Sequence, residues 1–364
     1  MRRLAGMFAV SLVVAMLALV LGCGSSGPGT SPGSSDTAAG KPPPGPTYTF
    51  TTLSPSSQFL LRAWEITDLG MVVGGDTLPC VWPAPAGPTN AVFLPGGTGE
   101  AKGCSPSGTM VVGSCADGPC LWSLAGSTWG PPELLDLGGI AGAYPVSMND
   151  SGQILGRTYD GSSYGAAFWA SHDTPPVVVP NSGRAGRITQ DGTIVGRVDD
   201  GTYDGTPALW VPDDPESPTS WTQVDLPMPT GYLHGSAVDM NSQGQVAGGL
   251  TGPGLKWHVF VWAGGPSGWT ATDLGVPANS VDGNVAAWAI NDNGDVAGST
   301  LRKLSRSKST AQPYVWKNGQ WVDLCAAIGM TTTPLGDPWD INNSGVLVGG
   351  SWGGTGAWKM VPNG

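Results

Sequence analysis

The sequence predicts an all-β protein: a seven-bladed β-propeller of four-stranded antiparallel blades, the last blade closed by the N-terminal strand. Three observations carry that expectation. An Asn-Asp-x-Gly-type turn between two short apolar runs recurs seven times, with its glycine at 70, 108, 152, 192, 244, 294 and 345 and spacings of 38 to 52 residues. An apolar run ending in tryptophan follows each turn, at Trp82, Trp122, Trp169, Trp210, Trp262, Trp316 and Trp358. The chain holds 58 glycines and 33 prolines in 364 residues, with only 12% charged side chains, a balance that many short strands and tight turns produce. A period of this length with four strands per unit marks a propeller blade. One such sheet cannot bury both its faces alone, whereas sheets arranged radially bury them against each other.

The elements follow in chain order. Arg2 and Arg3 precede an apolar run from Phe8 to Leu21, which reads as the charged and apolar parts of a signal peptide over 1–22. The run ends Val20-Leu21-Gly22-Cys23, which resembles the lipobox of bacterial lipoproteins. That resemblance implies a diacylated Cys23 as the new N-terminus, and Gly24 after it suggests the outer membrane. Residues 23–46 are almost wholly Gly, Ser, Pro, Thr and Ala, so they read as a tether that cannot build a core.

The folded part spans 47–364 and opens with a β run, Thr47 to Leu53. Only Lys359 to Gly364 follow Trp358, so the seventh blade lacks an outer strand of its own, and Thr47–Leu53 is the candidate to supply it. The sixth copy shows the unit. Strand a is Ala286 to Asn291, and Gly294 turns the chain into strand b, Asp295 to Thr300. A long basic loop, Leu301 to Ala311, leads to strand c, Pro313 to Trp316. Asn318-Gly319 then makes a two-residue hairpin into strand d, Gln320 to Leu324. Copy two carries one extra residue before Gly113. The strand-c tryptophans are expected between blades, each indole N–H near a loop carbonyl. Asp136, Asp225, Asp273 and Asp323 are expected in the middle of strand d, as charges that keep exposed edges from pairing with other chains.

The pattern Ile-Asn-Asp-x-Gly-x-Val-x-Gly, then Phe-x-Trp, then Asp-Leu-Gly resembles the HAF repeat of extracellular bacterial proteins. Only His258-Val259-Phe260-Val261-Trp262 keeps the histidine of the His-Ala-Phe-x-Trp segment. The resemblance implies a secreted repeat domain and no particular reaction.

Net charge is −11, and −13 once Arg2 and Arg3 leave with the leader, a sign that repels phosphate backbones and argues against nucleic acid. Beyond Cys23 five cysteines remain. In an oxidising compartment the short Cys115 to Cys120 hairpin predicts a disulfide, and Cys80 with Cys104 is a second candidate pair, leaving Cys325 as a buried thiol. No cysteine or histidine spacing suits zinc, and no nucleophile elbow, Walker loop or HExxH motif appears, so no catalytic residue is assigned. The segment Val198 to Gly205, with Asp199, Asp200 and Asp204, offers oxygen ligands for calcium. It lacks the alternating ligand pattern and terminal Glu, so it reads as a polar turn and no cofactor is expected.

The leading functional expectation is a non-catalytic binding or scaffold module on the bacterial cell envelope, held to the membrane by lipid and taking an envelope glycan or peptide. The alternative is a glycosidase-like enzyme using loop aspartates, which requires two carboxyl groups facing across a cleft at roughly 5 to 9.5 Å. Loops joining strands b to c and d to a share one side of the ring and vary in length and chemistry, which is where recognition over a repeated frame sits. Tyr164, Tyr203, His234 and Trp257 are the expected contact residues there.

Overall fold

The computed structural model describes residues 47–54, 61–140, 142–159, 164–201, 205–215, 218–265, 268–278, 280, 284–303, 309–330, 335–351 and 356–364. The leader, Cys23 and the tether lie outside them, as do Asp160, Tyr203 and Asp204. Seven antiparallel sheets form the blades, six of them with their strands in chain order from the centre outwards. The inner strands are Ala63–Ile66, Glu100–Cys104, Tyr144–Met148, Ser182–Ile188, His234–Met240, Ala286–Ile290 and Asp337–Ile341. They touch in ring order, and the last returns to the first. Blade 2 carries an additional short strand, Thr128–Trp129.

The ring closes as the sequence predicts. Tyr48–Thr52 pairs antiparallel with Trp358–Pro362 and becomes the outer strand of blade 7. Leu53 follows it into the seam with blade 1, where it is fully buried and its carbonyl accepts a 2.9 Å hydrogen bond from Trp82 Nε1. Second strands are buried on both faces, as Val246–Thr251 and Leu347–Gly350 show along their whole length. That is what sheets packed between sheets require.

Each turn glycine has positive φ, between 71° and 86°, a region closed to most side chains. In six turns the residue three before the turn glycine donates its N–H to a carbonyl four residues ahead; for example, Asn291 N donates to Asp295 O at 3.1 Å. Ser105 N in copy two donates five residues ahead, to Met110 O, which absorbs the extra residue.

Six strand-c tryptophans are at most 1% exposed, and their indole N–H groups reach a carbonyl just beyond the outer strand of the preceding blade at 2.6–3.0 Å. Blade 6 departs from the rule. Trp316 is only half-buried, and Trp321 of strand d donates to Leu274 O at 3.0 Å in its place. The two rings meet edge-on at 5.6 Å, so one seam holds both.

Four further expectations need correction. Asp136 lies beyond strand d, and Asp225, Asp273 and Asp323 end theirs. Their carboxylates mostly hold the next turn: Asp136 accepts from Gly138 N, Asp273 from Gly275 N, and Asp323 caps the one-turn helix Leu324–Ala327 by accepting from Ala326 N. They are turn caps rather than edge guards. The blade 6 loop expected from Leu301 to Ala311 is largely ladder, since strand b runs to Lys303 and pairs it with Ser309. The Cys115–Cys120 disulfide is not formed. The register sets Cys120 opposite Gly113 and Cys115 opposite Gly118, and both thiols are free, buried and in contact. Cys80 and Cys104 are likewise free and buried, and Cys325 is a buried thiol outside any disulfide, as expected of it.

Candidate functional site

The centre of the ring is built by a pattern that precedes every turn. Each inner strand reads small residue, variable residue, a third residue, then a large aliphatic or sulfur side chain, as in Ala63-Trp64-Glu65-Ile66 and Pro338-Trp339-Asp340-Ile341. In all seven the register shifts at the variable position. A bulge of this kind frees one residue from the ladder and re-aims its side chain. The small residue stays buried between blades, and so does the large one except Met240, which is partly buried. The freed residues, Trp64, Lys102, Val146, Gly186, Val238, Trp288 and Trp339, are all partly exposed and line the channel. Gly186 is required there, since a Cβ would lie 2.4 Å from Val238 O of the next inner strand.

Three of these residues form an aromatic arc over blades 6, 7 and 1. The Trp339 ring lies 4.5 Å from Trp288 and 4.8 Å from Trp64. Lys102 continues the arc into blade 2, its Nζ 3.3 Å from the centre of the Trp64 ring. A cation held over an indole face is attracted by the ring quadrupole. The Nε1 groups of Trp64 and Trp339 are buried without a hydrogen-bond partner. Trp288 Nε1 donates to Ser299 Oγ, whose hydroxyl in turn donates to Asp337 Oδ1 at 2.6 Å. Burial raises Asp337 to about 6 against that hydrogen bond.

One residue further along, the third positions converge on Arg187. Its guanidinium contacts Glu65 at 2.5 Å, Asp239 at 3.3 Å and Asp340 at 3.6 Å, reaching from blade 4 to blades 1, 5 and 7. Each carboxylate also accepts a backbone N–H of the following blade: Glu65 from Cys104, Asp239 from Ile290 and Asp340 from Ile66, all at 2.9 Å. Burial pushes all three carboxyls up, against the pull of Arg187, and the carboxylates hold the guanidinium charged. Arg187 keeps 32% of its side-chain surface accessible while surrounded by protein, so it forms a floor across the channel. A lone buried carboxylate would be costly; here the pairing and the backbone donors offset desolvation.

The rim above this floor is cationic over blades 2 to 4. Arg157 and Arg197 sit opposite Tyr144 and Arg184 in their ladders. Arg157 Nε donates across the seam to Ala185 O at 2.8 Å. Burial, then Arg184, lowers its pKa, with Arg197 a weaker push in the same direction. Lys102 is lowered to about 8 by burial, against its partner Glu100 at 3.0 Å.

Of the expected contact residues, Tyr164, His234 and Trp257 fall on this side of the ring without forming one cluster. Tyr164 is 39% exposed at the hairpin tip of blade 3, its ring 4.8 Å from Tyr159. His234 and Trp257 belong to blade 5, on strands that flank Thr251 from either side, about 10 Å apart across two strand spacings. Tyr203 is outside the described residues. Sequence reasoning missed the inner-strand residues, although the recurring small-x-x-aliphatic motif before each turn was the available signal. His258, the one HAF-type histidine, binds Asp273 at 2.9 Å and Tyr232 at 3.2 Å through Nδ1, and Tyr232 also donates to Asp273. Burial first and Asp273 second raise the Tyr232 hydroxyl to about 12, so this trio pins a loop.

The aspartates considered for chemistry are engaged locally. Asp199 accepts from Gly201 N, and Asp200 from Thr206 Oγ1. Among the described residues no group of three or more His, Cys, Asp or Glu side chains could hold a metal ion.

No protein-family model and no curated protein matches the chain. Solved propellers do. YCF48 bound to D1 peptide is similar with a TM-score of 0.54 at 10% identity, over 87% of this chain and 96% of that one. The Cps50 (Swd1) β-propeller domain from Myceliophteria thermophila gives 0.52 at 10% identity, over 88% and 100%. The β-propeller domain of the Trilobed protease from Pyrococcus furiosus gives 0.50 at 12% identity, over 80% and 89%. At these identities the likeness establishes the fold alone.

Proposed function

We propose that this protein is a non-catalytic binding module carried on the bacterial cell envelope by a lipid on Cys23, an HAF-repeat lipoprotein that presents the mouth of its channel to an envelope glycan or peptide. The observation that carries the reading is the channel mouth itself. Its aromatic arc comes from inner-strand positions that differ from blade to blade while the surrounding frame repeats, and its cations stand on inner and second strands of blades 2 to 4. Variable side chains on a repeated frame are the usual means of recognition. The carboxylates that meet in the channel are bound to Arg187 and to backbone N–H groups, which suits a structural floor better than an acid and base pair. The comparison with YCF48, a propeller seen with a bound peptide, supports a peptide as one kind of partner.

Two measurements test this. Cys23→Ala should abolish labelling by a palmitate analogue and release the protein from membranes; unchanged retention without labelling would refute the anchor. The full-length protein in detergent should capture ligands from combined glycan and peptide arrays and lose them on Trp64→Ala with Trp339→Ala. Turnover of any captured glycan would instead favour the enzyme.

A further inference from the structure

The chain has net charge −11, yet four of its cations gather in one place. Lys102, Arg157, Arg184 and Arg197 stand side by side on the inner and second strands of blades 2, 3 and 4, at the end of the channel where strands b turn into strands c. Among its neighbours Arg184 acts most on Arg157, Tyr144 pulls the other way, and Arg197 adds a weaker push in the sense of Arg184. Arg157 also pushes Lys102 down, so the arc is continuous across the seam between blades 2 and 3. Glu100 pairs with Lys102. In the blade 4 loop Asp199 accepts from Gly201 N and Asp200 from Thr206 Oγ1. Holding like charges together in an acidic protein costs stability, and an anion bound among them removes that cost.

Beside the arginines stands a platform of tyrosines. Tyr144, opposite Arg157 in the ladder and hydrogen-bonded to it, is 39% exposed. Tyr159 and Tyr164 are 43% and 39% exposed, and their rings lie at 35° to each other with centres 4.8 Å apart. Large aromatic rings left this open on one blade form flat, weakly polar surfaces with hydroxyls at their margins. A sugar ring stacks on such a surface with its apolar face while its hydroxyls bond at the edge. Guanidinium groups beside it match a carboxylate in planar, two-pronged fashion.

We propose that the rim of blades 2 to 4 binds an acidic saccharide, a uronate-bearing glycan whose carboxylates lie among Lys102, Arg157 and Arg184 and whose sugar faces rest on Tyr144, Tyr159 and Tyr164. The proposal rests on the binding-module reading above and names its ligand class. An acidic peptide satisfies the arginines but leaves the tyrosine faces without a partner, which is why the saccharide is preferred.

The test uses the full-length protein in detergent, with a galacturonate hexasaccharide, neutral maltohexaose and hexaglutamate as probes in calorimetric titrations. The uronate should bind, tenfold or more above the neutral sugar, and weaken as salt rises from 50 to 500 mM, on the scale of a Debye length falling from about 14 to about 4 Å. Arg184→Gln, at an exposed side chain, should weaken it at least tenfold, and Tyr164→Ala several-fold, each with an unchanged melting temperature. Arg157→Gln should act like Arg184→Gln; because Arg157 also bridges a seam, Arg184→Gln remains the deciding variant if Arg157→Gln fails to fold. Hexaglutamate binding as tightly as the uronate, with no effect of Tyr164→Ala, would overturn the saccharide in favour of a peptide. Uronate binding untouched by Arg184→Gln would overturn the site. If array ligands bind and all three probes fail, the ligand class is wrong and the binding module stands; if nothing binds, both fall.

Discussion

The two faces of the ring are made by opposite ends of the same strands, and they differ in how they use repetition. On the face of the a-to-b turns the repeated residues bond from blade to blade. Asn149, Asn241, Asn291 and Asn342 each hold their own turn through Oδ1 and donate Nδ2 to a carbonyl of the following blade, at 2.9–3.2 Å. The next turn position adds a second course: Ser107 N to Asp150, Asp150 N to Gln190, Ser242 N to Asp292, Asp292 N to Asn343 and Asn343 N to Asp68. The last of each course crosses the seam between blade 7 and blade 1. On the opposite face the corresponding positions are Arg62, Glu100, Tyr144, Arg184, Ser236, Ala286 and Asp337, and no two neighbours are alike. Repetition therefore marks the stitched face as structural. Where the sequence stops repeating, packing no longer dictates the residue and binding can.

That contrast can be broken or sharpened by mutation. The largest effect is expected at the seam. Removing Thr47 to Leu53 strips blade 7 of its outer strand and Trp82 of its acceptor, and the melting temperature should fall by more than about 10 °C or the cooperative transition should vanish. A truncated protein that melts like the full chain would break the closure account.

The open face should be the acid-stabilised one. Asp337 titrates at about 6 in the folded chain against 3.8 as its ordinary value. Between those values the folded chain keeps a proton that the unfolded chain has released. The contribution is thus complete at low pH and lost as pH rises through about 6, up to about 3 kcal/mol. Burial raises Asp340, Asp239 and Glu65 in the same sense. The melting temperature should be higher at pH 5 than at pH 8, and Asp337→Asn should flatten that slope; a slope of opposite sign would contradict the account.

On the stitched face, Asn342→Ala removes the acceptor for Ser344 N and Val346 N and the donor to Thr67 O, for a loss of about 1–3 kcal/mol by denaturant unfolding. Thr189→Asn sharpens the point. Thr189 holds its own turn through Oγ1 but makes no stitch to blade 5, and an asparagine there should recover up to about 1 kcal/mol. The smallest effect is expected at Tyr164→Ala, within about 0.5 kcal/mol, since the exposed ring packs mainly on Tyr159. A larger loss would make that tyrosine part of the frame.

Blade number, strand order and ring closure were legible in the sequence because each depends on local chemistry. A glycine at positive φ makes the turn, apolar runs make strands, and Trp82 and its counterparts fill seams of fixed geometry. Blade 6 escaped that logic only in detail, because Trp321 lies close enough along the hairpin to take the place of Trp316. The cysteine pairing failed because hairpin length does not fix register, and register set Cys115 and Cys120 against glycines instead of each other.

What the sequence determined by itself is therefore the repeated unit and its count, properties written in neighbours along the chain. What only the tertiary structure decided is the centre. Arg187 meets Glu65, Asp239 and Asp340 from three other blades, with Glu65 122 positions away along the chain. Trp64 meets Trp339 only once the ring has closed, and Arg157 meets Arg184 across a seam. Spacing in the sequence carries no information on such encounters, since they depend on how seven sheets are turned about a common axis.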